Sequence, residues 1–233
     1  MNHPFLSGLK HMFKLDPNRF ITKQQIEQLC HTDTDAILVG GTLGVTYEDT
    51  HFLLKQIRKH GKIAIQEISD LQAIVPGFDY YFIPFVVNAK DPKWILDVHH
   101  EALKRYGDWV NWNQVFVEGY IILNEDSSVA QLTRSKVPTD LEDVLAYARI
   151  IDQLLHLPIL YVEYSGRYGN PEWLKEIRQI VGHSQIFYGG GIDSYDKAME
   201  MSRYADTIIV GNLIYEDFYT ALKTIPTKNV YRS

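Results

Sequence analysis

Apolar positions along the chain follow two alternating rhythms. Eight short runs rich in β-branched and aromatic residues, over residues 11–16, 36–42, 62–69, 80–88, 117–124, 159–165, 185–192 and 207–213, predict β-strands. Between them, apolar residues recur at helical spacing over residues 22–32, 45–60, 92–106, 141–155, 171–181, 195–204 and 216–224 and predict amphipathic helices. Several of these stretches carry start signals: Thr22, Asp91 before Pro92, Asp140, Asn170 before Pro171, and Ser194. The alternation is that of parallel strands joined by helical crossovers. One crossover is deficient. Residues 70–79 leave room for only a turn or two of helix, so the helix after the third strand is shortened or missing and the wall there is thin.

Eight strand-helix units fit either a closed barrel or an open doubly wound sheet. Polar residues decide between them. Asp16, Thr42, Glu67, Asn88, Asn124, Glu163, Ser165, the Gly189-Gly190-Gly191 run and Gly211-Asn212 all fall near the C-terminal ends of their strands. An open sheet concentrates such residues at one crevice, whereas a barrel draws them from nearly every strand. The expected fold is a single (β/α)8 TIM barrel, one domain over residues 1–233.

Composition narrows the function without naming it. With 45% hydrophobic residues in 233, the chain can bury a large core. A formal charge of −6 with no cluster of Lys and Arg speaks against a nucleic-acid partner, so a phosphorylated ligand must be held locally. The longest apolar runs are far too short to span a bilayer. The start of the chain lacks the charged and apolar regions of a signal peptide, which makes the cytoplasm the expected compartment. Cys30 is the only cysteine, so no intrachain disulfide forms.

Three constellations carry candidate chemistry. Tyr188-Gly189-Gly190-Gly191-Ile192 places glycines at a strand end, where backbone amides can approach an anion; Val210-Gly211-Asn212 repeats the opportunity on the next strand. Together they match the phosphate site after strands seven and eight of barrels, against the plainer reading of a tight turn. In Tyr161-Val162-Glu163-Tyr164-Ser165-Gly166, strand alternation puts Tyr161, Glu163 and Ser165 on one face and Val162 and Tyr164 on the other. An inward Glu163 can bind a substrate hydroxyl or act as a general base, or else form a structural ion pair with a barrel Lys or Arg. In Phe13-Lys14-Leu15-Asp16-Pro17, Lys14 and Asp16 share a side: Lys14 suits an anionic group and Asp16 suits Mg²⁺, unless the two simply pair with each other. Thr42, ending Gly40-Gly41-Thr42, can place a hydroxyl beside that ion. No His or Cys set has zinc-ligand spacing, and the adjacent His99 and His100 are expected at the surface.

With Ala73-Ile74-Val75-Pro76-Gly77-Phe78-Asp79, these motifs resemble the geranylgeranylglyceryl phosphate synthase family, and within it the bacterial PcrB branch, over essentially the whole chain. The resemblance implies Mg²⁺-dependent ether formation between sn-glycerol 1-phosphate and a polyprenyl diphosphate, here heptaprenyl diphosphate. It assigns Lys14, Tyr161, Glu163, Ser165, Gly166, Gly191, Gly211 and Asn212 to glycerol phosphate, and Asp16 and Thr42 to the metal. Gly189, Gly190, Val162 and Tyr164 belong to the same substrate-binding motifs. Glu163 would orient the hydroxyl and take its proton. The thin wall would admit the apolar tail, and Ala102, where the archaeal branch carries a bulky aromatic, implies a longer one. A homodimer is expected, with transient membrane contact for release of the lipid. The competing expectations are another phosphate-binding barrel enzyme, acting on a small sugar or indole phosphate, and a barrel that only binds a phosphometabolite.

Overall fold

The computed structural model describes residues 3–226. Its eight strands are β1 (His11–Leu15), β2 (Ala36–Val39), β3 (Ile63–Glu67), β4 (Tyr80–Val86), β5 (Val115–Ile122), β6 (Ile159–Glu163), β7 (Gln185–Gly189) and β8 (Thr207–Val210). They close in chain order into one parallel barrel, with Met12 paired to Ala36 on one side and to Ile209 on the other. All eight predicted strands are present, most ending a few residues early because the chain leaves the ladder to build the mouth.

Around the barrel lie α1 (Pro4–Gly8), α2 (Lys23–Cys30), α3 (Tyr47–Lys59), α4 (Asp97–Tyr106), α5 (Ser128–Thr133), α6 (Leu141–Arg149), α7 (Pro171–Ile180), α8 (Tyr195–Met201), α9 (Leu213–Glu216) and α10 (Phe218–Ala221). The start signals act as their chemistry dictates. Thr22 and Gln25 form a reciprocal capping box on α2, and Asp140, Asn170 and Ser194 each accept a backbone N–H of the helix they open. Three helical predictions are corrected. The first turn of residues 92–106 is a separate 3₁₀ turn, Pro92–Trp94. The end of residues 141–155 winds into a π-turn, Ile150–Leu154, whose buried Asp152 accepts the backbone N–H groups of His183 and Ser184. The last stretch divides into α9 and α10 at Asp217, which caps α10 through its side chain.

The third crossover holds only a 3₁₀ turn, Leu71–Ala73, as its length requires. Val75 and Phe78 cover part of the barrel there. Outward-facing Ile83 and Phe85 of β4 remain half-exposed, and α4 beside them buries no residue fully. The opposite end of the barrel is sealed by α1, which the sequence pattern did not reveal: Leu6 and Leu9 are buried, and the Phe5 ring stacks on Tyr80.

Candidate active site

A cleft of about 540 Å³ opens at the C-terminal ends of the strands. It gathers Lys14, Asp16, Thr42, Tyr161, Glu163, Ser165, Gly166, all three glycines of the 189–191 run, Gly211 and Asn212. Val162 and Tyr164 do not reach it, because alternation along β6 turns them into the layer between barrel and helices.

The glycine wall needs glycine for reasons beyond turning. Gly191 has φ +56, and a Cβ there would run into the backbone of Arg167 and Tyr168, in the loop after β6. The two loops therefore interlock, bringing Gly166 and the glycines of β7 to one side of the cleft. Ser165 itself sits at φ +24, a strained conformation for a residue with a side chain. It is held by its contacts: its N–H and hydroxyl donate to Glu163 Oε1 at 2.5 and 2.8 Å, and its carbonyl accepts from Asn124. The strain serves to aim one carboxylate.

Glu163 is buried and lies in a cluster of charge inside the barrel. Burial raises its pKa above the ordinary carboxylate value, against the opposing effects of Lys14 and the two Ser165 hydrogen bonds. Lys14 pairs with neither Asp16 nor Glu163; its ammonium lies 2.6 Å from Glu67 Oε2 on β3. Burial disfavours that ammonium, but Glu67, Glu163 and Glu118 outweigh it and raise the Lys14 pKa, so the cation is held. The Tyr120 hydroxyl donates to the other oxygen of Glu67, and the Tyr120 ring stacks on Tyr161 at 4.3 Å. The sequence marked Glu67 only as a polar strand end and missed Glu118 and Tyr120, the latter because its partners come from other strands.

Glu118 on β5 is wholly buried, and neither carboxyl oxygen has a hydrogen-bond partner among the described residues. Burial and then Glu67 push its pKa well above the usual value, Lys14 acting the other way and Glu163 the same way. The folded protein thus keeps a proton that the unfolded chain releases near pH ~4.3. Stability is retained below that pH and lost as pH rises through the elevated folded-state pKa. Glu118→Gln is therefore expected to flatten melting temperature against pH and to raise it on the alkaline side by at least about 2–4 °C, the shift that ~1 kcal/mol gives in a chain of this size. Superimposable melting curves for variant and wild type from pH ~4.3, the ordinary carboxylate value, upward would contradict this.

At the end of β1, beside Gly211 of the neighbouring β8 end, the Asp16 carboxylate packs against Gly41, and its Oδ1 accepts the Asn18 N–H at 2.9 Å. Asp16 has no ion-pair partner among the described residues, and Thr42 borders the same cleft. One carboxylate and one hydroxyl, completed by phosphate oxygens and water, fit a hard divalent ion. Arg19, which the sequence reading missed, bridges the walls: it donates to Asn212 Oδ1 at 3.0 Å and lies 3.9 Å over the Tyr215 ring, whose hydroxyl accepts the Asp16 N–H. Lys197, also missed, borders the cleft and is tied to Asp193 at 2.5 Å. Asn88 lies outside, bracing β4 to β5 through the backbone of Ile122.

Of the two adjacent histidines, His100 is exposed as expected, whereas His99 is half-buried. Its ring stacks on Phe85 of β4 at 5.7 Å, and burial lowers its pKa. Ala102, one turn further along α4, lies on the same helix face and so also looks toward the half-exposed strip of β4.

A model of the PcrB family matches residues 6–229. A heptaprenylglyceryl phosphate synthase of Bacillus cereus (strain G9842) is 48% identical over 220 residues, covering 94% of this chain and 96% of that protein. One of Geobacillus sp. (strain WCH70) is 49% identical over 216 residues, covering 93% and 95%. The crystal structure of (S)-3-O-geranylgeranylglyceryl phosphate synthase from Thermoplasma acidophilum, in complex with sn-glycerol-1-phosphate, superposes with a TM-score of 0.81 at 18% identity, over 95% of this chain and 94% of that one. Tryptophan synthase of Mycobacterium tuberculosis shares the fold more distantly, with a TM-score of 0.54 at 14% identity, over 94% of this chain and 89% of that one.

Proposed function

This chain belongs to the PcrB family, and we propose that it joins the C3 hydroxyl of sn-glycerol 1-phosphate to heptaprenyl diphosphate, forming an ether and releasing diphosphate. The observation that carries the reading is one buried carboxylate, Glu163, fixed by Ser165 in a cleft that also holds a glycine run suited to a phosphate and the Asp16 and Thr42 pair suited to a metal-bound diphosphate.

In this arrangement the phosphate of the nucleophile lies against Gly166, Gly189, Gly190, Gly191, Gly211 and Asn212, and the Tyr161 hydroxyl joins Glu163 in orienting the glycerol. Glu163, its pKa raised by burial, accepts the C3 proton as the oxygen bonds to the allylic C1 carbon and the bond from C1 to the diphosphate oxygen breaks. Lys14, beside Gly211, adds positive charge on the side of the nucleophile's phosphate, and Arg19 carries positive charge toward the departing diphosphate. Asp16 and Thr42 would hold Mg²⁺, which when bound supplies charge neutralisation for the leaving group.

The half-exposed strip of β4, opened by the missing third helix, is the path for the apolar tail. Ala102 borders it, so Ala102→Trp is expected to shift products toward shorter prenyl chains with the rate on short donors retained. Product-length analysis across a donor series checks this; an unchanged length distribution would remove Ala102 from the tail path. No helix among the described residues is long and apolar enough to cross a membrane. The same reading includes a cytoplasmic homodimer that touches membranes transiently to release its lipid.

The function is tested by incubating the protein with Mg²⁺, labelled sn-glycerol 1-phosphate and prenyl diphosphates of graded length. Ether-linked product is expected, longest with the heptaprenyl donor. Absence of any ether product, with turnover of a small sugar or indole phosphate instead, would replace the reading.

A further inference from the structure

At the barrel end remote from the cleft, α2 and α3 finish side by side. His31 is the C-terminal cap of α2 and His60 that of α3. Glu27 lies one turn before His31 on the same face of α2. Each of the three offers one ligand atom, and the three atoms all lie within 4.8 Å of one another. The two imidazoles stand edge to face with centroids 5.3 Å apart.

Electrostatics favours a cation at this point. Two helix C-termini converge on it, each with a negative dipole end, beside the Glu27 carboxylate. The neighbouring cations are engaged elsewhere: Lys62 donates to the carbonyls of Thr32 and Thr34, Arg58 pairs with Asp79, and Lys59 donates to Gln56. Glu27 and His31 are exposed and His60 half-buried, so their side chains can rotate without disturbing the core.

We propose that Glu27, His31 and His60 form a zinc site that clamps α2 to α3. Two imidazoles and a carboxylate are a known three-ligand set for Zn²⁺, with water in the fourth position. A tetrahedral ion at ~2.0–2.1 Å from each ligand sets the ligand atoms roughly 3.4 Å apart, so rotation about side-chain bonds has only about an ångström or so to close. Mg²⁺ and Ca²⁺, which take oxygen ligands, are poor competitors. Sequence spacing alone misses the site because its ligands come from two helices that only the fold brings together. Lying at the end away from the cleft, it acts on stability and leaves the transfer reaction untouched.

The test uses the full chain. Calorimetric titration with zinc chloride should show one equivalent bound, and the melting temperature should rise with zinc but not with magnesium chloride. His31→Ala and His60→Ala, each compared with its own metal-free melting temperature, should weaken zinc binding at least roughly tenfold, a loss of ~1.4 kcal/mol, and lose the thermal shift. Ether formation by His60→Ala should equal that of wild type. Failure of the wild type to bind an equivalent of zinc would overturn the proposal, as would undiminished binding in both variants, which would place the ion elsewhere.

Discussion

Glu163→Gln is expected to lower kcat/KM for prenyl transfer by roughly 10²–10⁴, the usual worth of a positioned general base, while affinity for sn-glycerol 1-phosphate changes only a few-fold. The amide oxygen of glutamine can still accept the two Ser165 hydrogen bonds that hold Glu163, so the loop after β6 keeps its shape. What is lost is the ability to take a proton. Because burial raises the Glu163 pKa, the acid limb of the wild-type pH profile should lie above the ordinary carboxylate value of ~4.3. Activity is then present at higher pH and falls as the carboxylate is protonated; the variant's residual activity should lack that limb. Steady-state kinetics over pH, with binding measured separately, checks both. A variant that loses binding and keeps the acid limb would make Glu163 a binding group only.

Gly191→Ala is expected to weaken sn-glycerol 1-phosphate binding by roughly 10²-fold. A left-handed conformation costs a residue with a Cβ about 1–2 kcal/mol, and here the new methyl also meets the backbone of Arg167 and Tyr168. Backbone cannot rotate away as a side chain can. The turn through Ser165 and Gly166 must shift, which disturbs the phosphate wall and the aim of Glu163 together. Gly182→Ala is the control, since Gly182 lies outside the cleft and its Cβ would meet nothing within 4 Å. Binding measured on both variants, with their melting temperatures, separates local from global damage. Equal affinity in Gly191→Ala and wild type would remove the glycine run from the phosphate site.

The sequence exposed the barrel because its two signals, strand alternation and helical period, are local. The weak third crossover was legible for the same reason: ten residues, 70–79, that must also make both connections leave room for only a turn or two of helix. Site residues were legible where they end strands, as Glu163 and Gly189 do. Pairings made by closure were hidden. Lys14 lay two residues from Asp16 in the chain, yet it pairs with Glu67, two strands away. Arg19 and Tyr215 meet only because β8 closes onto β1. α1 escaped notice because five residues carry no helical period. The partial burial of His99 is hidden from the sequence because the half-empty wall that receives its ring exists only in the folded barrel.

The division of the mouth into a nucleophile wall and a leaving-group wall is tested most directly by a crystal structure with sn-glycerol 1-phosphate, Mg²⁺ and diphosphate bound. The glycerol phosphate should lie against Lys14, Gly166, Gly191, Gly211 and Asn212 with its C3 hydroxyl on Glu163, and diphosphate and metal should lie beside Asp16 and Thr42. Glycerol phosphate on the Asp16 and Thr42 side, or a C3 hydroxyl pointing away from Glu163, would contradict it.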